Sequence, residues 1–97
     1  MALESLHERR EDLSAETLDL RRATAALMEE LEAVAFYQQR VDATADEELK
    51  AILAHNRDEE KEHAAMLIEW LRRADEKFGE EIQTHVGKSG PIVPPGH

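Results

Sequence analysis

The sequence predicts an all-α protein, an antiparallel two-helix hairpin with a short C-terminal helix, and three observations carry that prediction. Ala, Leu, Glu and Arg dominate residues 15–86, a stretch with no Pro and a single Gly. These residues favour helix, and no cluster of Val, Ile, Thr and Tyr suggests a strand. Apolar residues recur at helical spacing in two long segments, separated by Asp42-Ala43-Thr44-Ala45-Asp46.

Residues 1–13 are polar and mixed, and read as a flexible lead-in. Ser14 is placed to cap a helix, with Leu13 and Leu18 as a hydrophobic staple across it. The first helix then spans about residues 15–42, with Leu20, Leu27, Leu31, Val34 and Val41 recurring along it. Thr44 and Glu47 have the spacing of a capping box, so the second helix covers about residues 45–78. Its stripe is Leu49, Leu53, Asn56, Glu60, Ala64, Leu67, Leu71, Ala74 and Phe78, and Gly79 is the expected stop. A short helix over about 80–86 precedes an extended tail, 87–97, which holds all three prolines. The short link makes the two long helices antiparallel neighbours. A hairpin has one helix–helix contact and no enclosed core, so the chain is expected to pair with a copy of itself, completing a four-helix bundle.

The formal charge of −10 argues against nucleic acid and anionic lipid as partners, since both require a basic surface. The absence of cysteine excludes disulfides and thiolate metal sites. No apolar run approaches the length of a membrane span, and a soluble, cytoplasmic protein is expected.

The informative residues are the polar ones that interrupt apolar faces. At ~100° per residue, Glu60 lies at the centre of the second helix's stripe, between Leu53 and Leu67, with His63 about 60° to one side. Glu30 stands at the edge of the Leu27–Leu31–Val34 stripe and shares its face with Tyr37, one heptad on. An unpaired buried carboxylate is costly, so Glu30 and Glu60 need a cation, an Arg or a raised pKa. Glu60-Lys61-Glu62-His63 is an E-x-x-H motif, which sets a carboxylate and an imidazole on adjacent turns of one face. Glu4 and His7 show the same spacing in the lead-in but interrupt nothing.

Two readings of the motif stand side by side. In one, Glu60 and His63 bond each other or a partner's Arg and fix the register of a helical dimer. In the other they are metal ligands. Di-metal carboxylate bundles take a single Glu from each of two helices and an E-x-x-H from each of the other two. This chain has one helix of each kind, and a two-fold dimer would supply the rest on its axis. Four carboxylates and two imidazoles suit iron or manganese. His55, Glu59 and Glu62 form a second row facing away from the stripe, and Glu29 and Glu32 also face outward from Leu27. Each group is either a solvated acidic face or a weaker cation site that gathers metal. Trp70 is expected in the core, and His85 and His97 have no partner set.

The strings Met28-Glu29-Glu30-Leu31-Glu32-Ala33-Val34, Phe36-Tyr37 and Leu53-Ala54-His55-Asn56-Arg57-Asp58-Glu59-Glu60-Lys61-Glu62-His63-Ala64-Ala65-Met66 resemble the encapsulated ferritins. Glu69-Trp70-Leu71-Arg72-Arg73 and Gly90-Pro91-Ile92 extend the likeness, which covers about residues 14–92. The resemblance implies a ferritin-like subunit that forms dimers and then an annular decamer. It implies that Glu30, Glu60 and His63 from two chains form a di-iron ferroxidase centre, with Tyr37 beside it. Glu29 and Glu32 would admit iron along the dimer axis, and His55, Glu59 and Glu62 would hold an outer cation, with Ca or Mn as candidates at these secondary positions. The implied activity is oxidation of Fe(II) by dioxygen, with the ferric product stored inside an encapsulin shell in the cytoplasm. Two departures are visible: Phe36 stands where the family often has Trp, and no shell-targeting peptide is recognisable at Pro94-Pro95-Gly96-His97. Another di-iron or di-manganese oxidase on the same bundle, or a non-catalytic dimerisation module, are the alternatives.

Overall fold

The computed structural model describes residues 6–96, so Glu4 and His97 lie outside the described residues. A 3-10 turn at Arg10–Asp12 leads into three helices, α1 (Ala15–Ala43), α2 (Glu47–Ala74) and α3 (Glu76–His85). No strand occurs among the described residues. α1 packs along α2, and α3 packs on α2. Glu30 of α1 meets His63 of α2 while Gln38 meets Arg57, so numbers rise on one helix as they fall on the other. The pair is therefore antiparallel, each helix a little over ~40 Å long at ~1.5 Å per residue.

Local chemistry explains the boundaries, including two that differ from expectation. Ser14 caps α1, its hydroxyl accepting from the Thr17 amide at 3.1 Å. At the start of α2 the cap is Asp46, not Thr44: the Asp46 carboxylate accepts from the Leu49 amide at 2.9 Å. The Thr44 hydroxyl is engaged within the link, accepting from the Asp46 amide at 3.2 Å. An ionised carboxylate is the stronger acceptor for an amide at the positive end of a helix, so the capping box yields to it.

α2 stops at Ala74 rather than near 78. Asp75 ends it, its amide donating to Leu71 at 3.0 Å, and caps α3 by accepting from the Phe78 amide at 2.8 Å. Gly79 thus lies inside α3 and is not a stop. A Cβ added there would come within 2.7 Å of the Arg72 carbonyl oxygen, so glycine is what lets α3 approach α2. Helix propensity alone favours Gly79→Ala by ~1 kcal/mol. We expect the opposite sign, a loss of about 1–3 kcal/mol from overpacking, read as faster amide exchange across Glu76–His85.

Little of the chain is enclosed. Among the described residues the buried apolar side chains are Ala23, Ala25, Ala64 and Leu71, with Leu71 at 3 % exposure. Leu20, Leu27, Val34, Val41, Leu53 and Leu67 are half-buried, while Leu31, Leu49 and Phe78 from the expected stripes are exposed. Leu31 lies about 100° around α1 from Glu30, on the flank away from His63, which takes it off the helix–helix seam. Trp70 is not core either. It is exposed, at one wall of a cleft of about 350 Å³ shared with Leu20, Ala74, Glu16, Asp19 and Asp75.

Arg57 ties the two helices on one flank, donating to the Gln38 carbonyl at 2.9 Å. Glu69 accepts from Arg72 and Arg73 at 2.7 Å each, and these guanidiniums, Arg72 first, hold its carboxyl down at about 2. A carboxyl lowered on folding stabilises the fold above its ordinary value of 4.5, and that contribution fades as pH falls toward about 2. Because the cluster is exposed, the effect is small. Acid titration of Glu69→Gln followed by circular dichroism should show less helix lost between those two pH values than in the parent chain.

Candidate metal centre

Two facts of helix geometry set up the site. Glu60 and His63 are separated by one turn of α2, and Glu30 stands opposite them on α1. The His63 Nδ1 lies 3.3 Å from Glu60 Oε2 and 3.4 Å from Glu30 Oε2. One donor atom from each of the three lies within 4.8 Å of the others, and among the described residues no other set of three or more His, Asp and Glu converges in this way.

The three side chains are neither buried nor free. Glu30 is 24 % exposed, Glu60 23 % and His63 43 %, so the site sits at the rim of the α1–α2 seam and opens to one side. Buried polar atoms normally have a partner, yet Glu30 Oε2 is enclosed without a hydrogen bond, 3.4 Å from His63 Nδ1. An enclosed carboxylate oxygen with no donor, aimed at an imidazole nitrogen and a second carboxylate, is what a cation would satisfy. Carboxylate oxygens with imidazole nitrogen favour iron or manganese over soft metals, so the residues fit the group.

The same flank continues as an apolar surface. Taken at ~100° per residue, Ile52, Glu59, His63, Met66 and Trp70 fall within an arc of about 60° on α2. Ile52, Met66 and Trp70 are exposed. His63 therefore stands at the seam-side edge of this exposed arc, with Glu60 about 60° further round toward the seam.

The other sequence-predicted residues stand apart from it. Glu29 and Glu32 are exposed on α1, and His55, Glu59 and Glu62 are exposed on α2. His55 Nε2 meets Glu59 Oε1 at 2.8 Å, but neither group forms a three-donor cluster within one chain. Tyr37 is half-buried, with the Arg40 guanidinium 5.2 Å from its ring centroid. His85 ends α3, exposed. Sequence reasoning missed Arg57, whose tie to Gln38 helps hold α1 against α2; its position beside the stripe carries no sign of a partner across the seam. The role of Asp75 was more accessible, because Asp followed by Glu and a later amide is a cap signature.

Comparison with known proteins bears on the family and the fold. A family model described as EncFtn-like matches residues 5–89. An encapsulated ferritin-like protein of Rhodospirillum rubrum is 60 % identical over 92 % of this chain, which spans 64 % of that protein's length. An encapsulin nanocompartment cargo protein of Myxococcus xanthus is 50 % identical over a shorter stretch, 47 % of this chain and 35 % of that one. A crystal structure of a Nitrosomonas europaea protein superimposes with a TM-score of 0.87 at 56 % identity, covering 93 % of this chain and 99 % of that one. The helical hairpin is thus a ferritin-like fold, and the chain belongs to the EncFtn-like family of encapsulated ferritin-like proteins.

Proposed function

We propose that this protein is a ferroxidase, oxidising Fe(II) with dioxygen at a di-iron centre shared between two subunits. The observation that supports it most is the convergence of Glu30, Glu60 and His63 at the rim of the α1–α2 seam, beside an exposed flank that carries Ile52, Met66 and Trp70. A two-fold partner laid on that face doubles the donors to four carboxylates and two imidazoles. Their formal charge then balances two divalent cations.

Iron is here the substrate. Each Fe(II) gives up one electron, and two ions held together let dioxygen accept an electron pair. The protein's own part is to bind and to space. Glu30 and Glu60 supply oxygen donors suited to a hard cation, and His63 supplies a nitrogen through the Nδ1 that already faces both carboxylates. The apolar rim of Ile52, Met66 and Trp70 excludes water once covered, which strengthens every charge interaction at the site. Tyr37 and Arg40 lie further along α1, where the ring is a candidate for electron or proton exchange. Glu29 and Glu32 are read as a route that admits cations, and His55, Glu59 and Glu62 as an outer cation site for which Ca or Mn are candidates.

Dimers of this kind, assembled further into an annular decamer, leave no enclosed volume of their own. Storage of the ferric product would then depend on an encapsulin shell, in keeping with the names of the relatives. Crystals grown with Fe(II), measured at the iron edge, should show anomalous scatterers between two Glu60–His63 pairs. Iron found only at the exposed Glu59 and Glu62 positions would refute the reading.

A further inference from the structure

The chain holds 22 acidic and 12 basic residues, so carboxylates outnumber the cations they can pair with. Arg9, Arg22, Arg57, Lys61, Arg72, Arg73 and Lys77 each have one nearby. Among the described residues Arg10, Arg21, Arg40, Lys50 and Lys88 make no such pair, and the first two of these line one cleft of about 270 Å³ between the lead-in and the first turns of α1. Leu6 and Leu18 form its apolar walls, and Arg22 completes it. Arg22 is partly engaged, donating to Asp19 at 2.8 Å. Arg21 is half-buried and its Nε is enclosed without an acceptor.

We propose that this cleft is an oxyanion site, in which Arg10 and Arg21 bind the oxygens of phosphate or of a carboxylate. A guanidinium presents a planar fork of N–H donors that matches both groups, and it cannot relieve its burial by losing a proton. The enclosed Nε of Arg21 therefore calls for an oxygen that the described residues do not provide. The leucine walls exclude water on two sides and strengthen the attraction. Asp19 opposes an anion and caps how tightly one is held. The overall charge of −10 repels extended polyanions, which narrows the occupant to a small anion or a single acidic side chain of a second copy. This site is independent of the metal centre.

Inorganic phosphate is the probe, followed by calorimetry on the full chain at low ionic strength. The parent protein should bind it saturably, with affinity about tenfold weaker in Arg21→Gln and in Arg10→Gln. Lys77→Gln, which removes a charge elsewhere, should leave binding unchanged, and circular dichroism verifies that each variant is folded. Where a second copy's carboxylate occupies the cleft, added phosphate should displace it and lower the oligomer mass by light scattering, an effect lost in Arg21→Gln. Equal phosphate affinity in all variants would overturn the proposal. So would binding that appears only in Glu4→Gln, since Arg21 would then be satisfied within its own chain.

Discussion

Replacing Glu60 with Ala is expected to bring iron-dependent oxygen consumption down to the rate of Fe(II) in buffer. Removing groups that merely orient metal ligands costs about 10–100-fold, and deletion of a ligand should cost no less. In the proposed shared centre the loss would be doubled, because one substitution in the chain removes two carboxylates. Glu30→Ala and His63→Ala should behave alike. Stability should move the other way. In the absence of metal, Glu60 and Glu30 face each other across an imidazole with one oxygen unsatisfied, so truncating either relieves a penalty. Activity falling while the melting temperature of the metal-free chain holds or rises is the signature of ligands. A dimerisation module would show unaltered iron oxidation in all three variants, and that result would sink the ferroxidase reading. An oxidase of organic substrates is separated by whether oxygen consumption with Fe(II) alone requires an added substrate.

The second large effect is on stability. Leu71→Ala should cost about 2–5 kcal/mol, measured by urea unfolding. Leu71 is the one large apolar side chain that is buried among the described residues, at 3 % exposure, in the last turn of α2. A small domain has only about 5–15 kcal/mol in total, so the variant should be partly unfolded at ambient temperature. Met66→Ala makes the instructive contrast. Met66 is exposed in the single chain, on the flank that carries His63, so its truncation should be nearly neutral in dilute protein. At concentrations where two copies pair across that flank, the loss should grow with concentration, since a partner that binds only the folded state stabilises it by mass action. A Met66→Ala penalty independent of concentration would mean that the face is not where copies meet.

Much of this was legible in the residues. The helical segments, the cap at Ser14 and the inward position of Glu60 follow from spacing within one helix, where a fixed turn per residue converts sequence distance into angle. The boundary between α2 and α3 differs from the one the sequence predicts because Gly79 reads as a helix stop yet lies inside α3. Glycine marks a stop only where the backbone needs a left-handed residue, and here it answers a close carbonyl instead. Trp70 is expected in the core, but its angle on α2 puts it on the open flank, where it is exposed.

What the sequence by itself determined is the kind of protein: two long amphipathic helices, one bearing a Glu at the edge of its apolar stripe and the other an E-x-x-H. What only the tertiary structure decided is which groups meet. That Glu30 reaches His63 at 3.4 Å, that Arg57 finds Gln38, and that Arg10 and Arg21 share a cleft all depend on how one helix is rotated and slid against another. Spacing fixes angles along a single helix. Register across the seam is set by the packing of side chains from both helices at once, and no local pattern encodes it.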